Sequence, residues 1–484
     1  MHTNTQNRSK RTRVWLIISV VAVVVAEAAF TTMVVRSRGL FEYIGLDYRG
    51  SRTAGEAILE HGLGAAYQSQ LLEESQRRLF DRYVIESEEH SLPFGVVPAP
   101  YPPPFTLAFV LSTWLPPVPG YLAWTLFHAF ALAVYQLRLA RAFGVSKPGW
   151  LIVAVILSFP AFINLIMGQI SIWLVVFFGE AVIAFDRQQR FRTGVWLGLL
   201  VCKPQVLILF VPALVLARQW RVLLGMVALA AVLIVPTLVF AGDWVAGFIE
   251  GILSAAGSTG TVMNIFPSSM TNWRAFGLNA ARLYPPLVVW GIALTAMIAT
   301  GIAGLSCSIG LRTTNRRRTG FAWLGLAAAT CAFTWHAHVH QLLLLVPPLY
   351  AVLGALPRLT RISHQLTAAA SDTPCPAEFS RLGVLDVRSS PTPRPSDRKR
   401  RWAWHLAGLA TKAGEKRGLK DAIAFSLFGS SAIFVLASST LSIGEAHDIL
   451  GVTMLACLVA FTTVCVLGLY SVGTLKVEVP DTHF

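Results

Sequence analysis

An all-α polytopic membrane protein is the fold class this sequence predicts, and three observations predict it. Apolar stretches long enough to cross about 30 Å of hydrocarbon recur along nearly the whole chain. Only 13% of the residues are charged and 54% are hydrophobic, with a mean hydropathy of +0.58, against roughly 25% charged in an ordinary soluble domain. The basic residues gather beside the apolar stretches, as the positive-inside rule expects of cytoplasmic loops. Continuous apolar runs, rather than alternating ones, make the spans helices and not barrel strands.

The net charge of +15 raises the question of nucleic acid, and its location answers it. Basic runs at Arg8–Arg13, Arg138–Lys147, Arg187–Arg192, Arg218–Arg221, Arg312–Arg318 and Arg358–Lys420 each adjoin a predicted span. They read as anchors to anionic lipid head groups, with membrane lipids as partners and no nucleic acid. The six cysteines form no C-x-x-C pair, so neither a zinc site nor a disulfide framework is indicated.

Element by element, Val14 to Val35 is the first span; it is too long for a signal-peptide core and no small-residue cleavage motif follows it before Arg36. With the N-terminus inside, Arg36 to Pro104 lies outside and contains a short polar helix starting near Leu46. Phe105 to Leu115, bracketed by Pro102-Pro103-Pro104 and Pro116-Pro117, is short for a crossing and reads as a re-entrant or interfacial helix. Gly120–Ala140, Trp150–Met167 and Ile170–Phe185 then alternate direction, with Gly168-Gln169 at the outer edge. Gly194 to Ala217 is interrupted by Lys203-Pro204-Gln205 and reads as two short membrane helices meeting at a break that must be buried in protein or line a cavity.

Leu223–Phe240 runs outward to a second outer loop, Gly242 to Leu283, and Pro286–Leu311 returns. Phe321–Phe333 exits at Trp335-His336-Ala337-His338-Val339-His340, and Leu342–Leu356 re-enters. Residues 357–420, rich in Ser, Pro and Arg, read as a basic, disordered cytoplasmic linker. Ile423–Leu441 and Ile449–Val472 form a final pair around a turn at Glu445–Asp448. The sum is about twelve helices in a cell-membrane protein with both termini cytoplasmic. Its units are a membrane module at 1–356, the linker at 357–420, and a helix pair with tail at 421–484.

This threading, set by basic loops alone, collects five unusual polar features on the extracytoplasmic side. Asp47 suits a helix start, and equally a general base that deprotonates an attacking hydroxyl; Arg49 and Arg52 stand close by to hold it ionised or to receive an acidic ligand. Lys203 sits in an apolar stretch at a cost of several kcal/mol unless it reaches water or a partner, and beside a broken backbone it suits a lipid-linked phosphate. Glu180, also mid-span, reads as a structural partner for a cation. His336, His338 and His340 alternate, but without nearby Asp, Glu or Cys the metal signal is weak, and side chains at a helix end diverge; phosphate or sugar hydrogen bonding fits better. Trp273 and Trp335 are interfacial aromatics that also suit sugar stacking. Gln169 and Tyr101 complete the set.

The stretches "LDYRGSRTAGEAILEHGLGAAY", "YPPPFTLAF", "GQISIWLVV", "GVWLGLLVCKPQVLILFVPAL", "MTNWRAF" and "TWHAHVHQLLLLVPPL", in that order and spacing, resemble the GT87 (DUF2029) mannosyltransferase-like group of polyprenyl-phosphate-sugar-dependent glycosyltransferases in the GT-C superfamily. The resemblance implies a GT-C-type fold with juxtamembrane helices in the first outer loop, and Asp47 at the position of the acidic catalytic residue. It implies Tyr101 on a proline-bearing juxtamembrane helix, a Lys-Pro break near the donor phosphate at Lys203 with Gln205 beside it, Asn272 in the second outer loop, and Trp335 with one or two of His336, His338 and His340 after the ninth helix.

Two departures stand out. The histidines alternate where the commoner pattern is an adjacent pair, and Ser51 replaces a frequent tyrosine. The implied activity is transfer of a hexose, mannose first, from a polyprenyl-phosphate donor to a glycolipid or cell-envelope polysaccharide with inversion, and without a cofactor. Basic side chains neutralise the phosphate in that scheme, so it requires no metal. Sugar selectivity falls to Asn272, Trp273 and Gln169, with Arg49, Tyr101, Gln205 and Trp335 as further substrate contacts. A transporter or lipid flippase is the alternative, since it also uses intramembrane charge and broken helices; an inactive scaffold is a third.

Overall fold

The computed structural model describes residues 2–84, 94–98, 101–257, 270–355 and 443–473. Among these the chain is helical without a strand; the only ladder-like pairings are two isolated bridges, Gly39 with Val84 and Met270 with His338. The linker 357–420 and the predicted helix Ile423–Leu441 lie outside the described residues.

Helix α1 (His2–Arg38) leads into the outer-loop helices α2 (Leu46–His61) and α3 (Ser69–Tyr83). Helix α4 (Pro103–Thr106) continues as a 3-10 turn to Thr113. Arg52 ties α2 to the end of that segment, donating through Nη1 to the carbonyls of Ser112 and Leu115, both at 2.7 Å, while Tyr48 donates to the Ser112 carbonyl at 3.1 Å. Those carbonyls lack helical partners at a C-terminus, so a buried guanidinium is a fitting cap. The segment leaves Leu107, Leu111, Trp114 and Leu115 exposed, as an element lying against lipid does.

Helix α5 (Pro117–Phe143) starts with proline in its first turn and stops at Gly144, where the Val145 N–H closes back on the Ala140 carbonyl at 2.8 Å. Its Leu122, Leu126, Phe127 and Phe130 are exposed. The stretch expected as one span, Trp150–Met167, is instead two helices, α6 (Gly149–Ile156) and α7 (Phe159–Met167), bent by 52°. Pro160 at the start of α7 has no N–H to continue the ladder, and its ring excludes a straight helix. Helix α8 (Ser171–Asp186) carries Glu180, which is bound by the Arg138 guanidinium and accepts from the Tyr135 hydroxyl at 3.2 Å. This is the structural ion pair the sequence suggested.

The expected interruption is present. Helix α9 (Arg190–Gly198) passes through a 3-10 turn to Lys203, whose backbone is extended, and a second 3-10 turn leads to α10 (Leu207–Leu216). Then follow α11 (Trp220–Phe240), α12 (Trp244–Gly257), α13 (Trp273–Ala280), α14 (Pro286–Ser306), α15 (Ser308–Leu311) and α16 (Arg316–Phe333). Helix α17 (Val339–Ala355) begins as a 3-10 turn. Helix α18 (Ile443–Gly473) packs on α16 and takes in Glu445–Asp448, expected as a turn. The apolar core centres on fully buried Trp323, ringed by Phe178, Phe185 and Phe210 at 5.7, 5.2 and 5.9 Å between centroids.

By length and composition, four described helices can cross a bilayer: Ile17–Arg38, Pro117–Phe143, Trp220–Val239 and Pro286–Leu311; the bent α6–α7 pair makes five. Among the described residues, the other crossings read from sequence coincide with shorter apolar stretches, or with α8 and α16. The described residues are those of an all-helical membrane protein.

Candidate active site

Four elements distant in sequence meet at one point. Gly45, in the left-handed region at φ 78°, turns the chain into α2, and its N–H donates to the Ile166 carbonyl at 2.6 Å. That bond fixes the first turn of α2, where Asp47 sits, against the end of α7. Gly168 follows at φ +76°; a Cβ there would lie 2.6 Å from Tyr48 Cβ, so glycine permits both the turn and the close approach. Gln169 therefore emerges beside Asp47 and donates to its carboxylate. From the break between α9 and α10, Lys203 donates to Gln169 Oε1 at 2.9 Å and to His340 Nε2 at 3.3 Å. His340 belongs to the opening turn of α17, and its acceptor role here puts the ring proton on Nδ1.

Buried Lys203, with 6% exposure, thus has hydrogen-bond partners and a carboxylate in electrostatic reach, which answers its cost in an apolar surround. Asp47 is half-buried, and burial pushes its carboxyl up to about 6, against the Gln169 hydrogen bond and the charges of Lys203 and Arg49. Of the two arginines expected to hold Asp47 ionised or to receive an acidic ligand, Arg49 acts on the carboxyl in that direction, and burial outweighs it. Arg49 is itself fully buried, donating to the Gly95 carbonyl at 2.8 Å between the rings of Phe80 and Phe94, and Arg52 is engaged as described above.

The histidine rings do not diverge as expected at a helix end. Residues 334–338 are not helical, and Thr271 donates to the Ala337 carbonyl at 2.8 Å beside the Met270–His338 bridge. Extended His338 leads directly into the 3-10 turn that carries His340, and the rings gather: His336 and His338 stand 4.9 Å apart and His338 stacks on His340 at 5.6 Å. Burial, reinforced by the charges of Lys203 and Arg274, lowers His336 to about 4. Its ring is neutral near pH 7 and offers hydrogen bonds, leaving positive charge to Lys203 and Arg274.

Tyr101 is buried, with its phenol within electrostatic reach of Asp47. Gln205 is half-buried in the turn after Lys203. Asn272 caps α13 by accepting from the Ala275 N–H at 2.9 Å and donates to the Thr334 carbonyl at 2.9 Å, stapling the second outer loop to the histidine segment. Trp273 donates to Thr300 Oγ1 at 3.0 Å and so docks α13 on α14, one step from the cluster. Trp335 is exposed, with the Arg274 guanidinium 4.9 Å from its ring centroid. Asn164 and Arg274 escape sequence reasoning; the available signal was a lone amide in an apolar helix and a cation between Trp and Phe.

The arrangement places a carboxylate of raised basicity within one amide of a buried ammonium, beside the His336 and His340 imidazoles. Such a set can take a proton from a hydroxyl on one side and bind an oxyanion on the other. No curated protein and no solved structure matches the chain. A family model does, over residues 100–335, and its description is glycosyltransferase family 87; Tyr101, Gln169, Lys203, Asn272 and Trp335 fall inside that stretch. Residues 100–335, just under half of the chain, thus match glycosyltransferase family 87, and the chain is an enzyme that transfers sugar.

Proposed function

We propose that this enzyme moves a hexose, mannose by preference, from a polyprenyl-phosphate donor to a glycolipid or cell-envelope glycan on the extracytoplasmic side of the cell membrane, in a multi-pass GT-C-type fold with both termini cytoplasmic. The observation that carries the reading is the hydrogen-bonded joint from Asp47 through Gln169 to Lys203 and His340. It offers base and oxyanion chemistry a few ångströms apart, next to lipid.

In the proposed step the acceptor hydroxyl oxygen forms a bond to the anomeric carbon as the bond from that carbon to the phosphate oxygen breaks. The hydroxyl proton goes to Asp47, and the bonding pair leaves with the polyprenyl phosphate. Attack from the face opposite the leaving group inverts the anomeric centre. The phosphate departs as an anion beside Lys203 and the histidine face, so no general acid is required. Asn272 and Trp335 bound the sugar side, with Tyr101 and Gln205 shaping its walls.

The deciding experiment offers radiolabelled polyprenyl-phosphate mannose, arabinofuranose and glucose to one purified sample with membrane lipid extract as acceptor. Mannose transfer is the expected result. Strict use of another sugar keeps the mechanism and refutes the mannose assignment. Movement of intact donor across vesicles without transfer supports a flippase instead.

A further inference from the structure

Gln169 is held from both ends. Its Oε1 accepts from the Lys203 ammonium at 2.9 Å and its Nε2 faces the Asp47 carboxylate. Reversing the amide would set donor against donor at Lys203 and acceptor against acceptor at Asp47, so the two charges dictate its orientation. The backbone that carries it is held with equal care. The Asn164 carbonyl accepts from the Gln169 N–H at 2.9 Å, and Asn164 Oδ1 accepts from the Ser171 N–H at 3.0 Å. One residue of α7 thus grips the turn on both sides of Gln169. The Gly168 carbonyl, in turn, takes the Trp124 indole N–H at 3.0 Å.

Asn164 is fully buried, and among the described residues its Nδ2 has no hydrogen-bond partner. The unpaired donor costs stability, and the Oδ1 of the same amide offsets that cost by pairing the buried Ser171 N–H and so holding the 169–171 turn. Each end of the Gln169 amide faces a charged neighbour, which suits the residue to orienting those groups rather than to sugar selectivity.

We propose that Gln169, anchored by Asn164, is the positioning residue for Asp47: its amide fixes where the carboxylate oxygen points and links it to Lys203, making base and phosphate site one unit. This rests on the reading of Asp47 as the base, and it adds a consequence that reading lacks. Loss of the amide must change the protonation behaviour of a residue it does not replace.

The test uses the full-length chain in lipid nanodiscs, with Gln169→Leu, Gln169→Glu and Asn164→Leu. For Gln169→Leu we expect a drop in kcat of tenfold or more, acceptor KM within about twofold, and an acidic limb of kcat/KM displaced upward by about one pH unit, the worth of a hydrogen bond to a charged group. Asn164→Leu should move the limb in the same direction by less. Gln169→Glu keeps the shape but sets two carboxylates together, and should move it furthest. A raised sugar-donor KM with an unmoved limb would return Gln169 to sugar recognition and overturn the proposal. Should Gln169→Leu fail to fold, an unmoved limb in Gln169→Glu has the same force. Infrared titration of the carboxyl band that vanishes in Asp47→Asn needs no turnover. If its midpoint is the same in wild type and Gln169→Glu, positioning is refuted whatever Asp47 does in catalysis; if it shifts while Asp47→Asn still transfers sugar, positioning stands and the base assignment falls.

Discussion

Adding one methyl group at Gly168 should disable the enzyme far more than its size suggests. At φ +76° an L side chain costs about 1–2 kcal/mol. The new Cβ would also lie 2.6 Å from Tyr48 Cβ and 3.1 Å from Tyr48 N. Neither atom can rotate aside, so α2 or the 168–169 turn must move, at about 1–3 kcal/mol for overpacking of this kind. Gly144 supplies the control, because it sits at φ +69° with nothing within 4 Å. Gly168→Ala should therefore lose about 2–5 kcal/mol and Gly144→Ala only about 1–2 kcal/mol. The displacement parts Asp47 from Gln169, and misplacement by about 1 Å costs on the order of 10²-fold in rate. Thermal midpoints in one detergent and initial rates at saturating polyprenyl-phosphate mannose measure both effects. Equal losses of stability and rate in the two variants would refute the reasoning, since only the approach to Tyr48 distinguishes them.

Three further outcomes are expected. Asp47→Asn should abolish transfer while the protein elutes as folded in detergent, because volume is kept and basicity is lost; near-normal turnover would remove Asp47 from the role of base. The rate should depend on pH with a defined sign: burial raises the Asp47 carboxyl to about 6, the base works only when ionised, and so kcat/KM should be level above that value and fall about tenfold per pH unit below it. A limb near pH 4 would contradict the burial argument. Lys203→Ala should raise the apparent KM for the polyprenyl-phosphate donor several-fold more than that for the acceptor, and an effect confined to the acceptor would move the phosphate site elsewhere.

Much of the site was legible because a membrane protein makes polar residues conspicuous. Asp47, Gln169, Lys203 and the histidines announce themselves as expensive groups in apolar surroundings, and the structure brings Asp47, Gln169, Lys203 and His340 together. What stayed hidden was tertiary. That Gln169 joins Asp47 to Lys203 depends on a left-handed glycine meeting Tyr48, which no periodicity encodes. The histidine cluster was misjudged because α16 ends at Phe333 and the chain pairs at Ala337 with Thr271 before entering the 3-10 turn that carries His340. The kink between α6 and α7 was readable from Pro160, yet the unbroken hydropathy of Trp150–Met167 concealed it. Arg49 looked available by proximity in sequence, whereas Phe80 and Phe94 enclose it.

The grip of Arg52 and Tyr48 on the carbonyls of Ser112 and Leu115 has a mechanical meaning. Those carbonyls end the segment whose Leu107, Leu111, Trp114 and Leu115 face outward, Trp114 with 75% of its surface exposed. The helix bearing Asp47 is therefore hung from a segment of exposed apolar side chains. Any shift of that segment is passed to the pitch of the carboxylate by three hydrogen bonds, as a lever passes motion to its load.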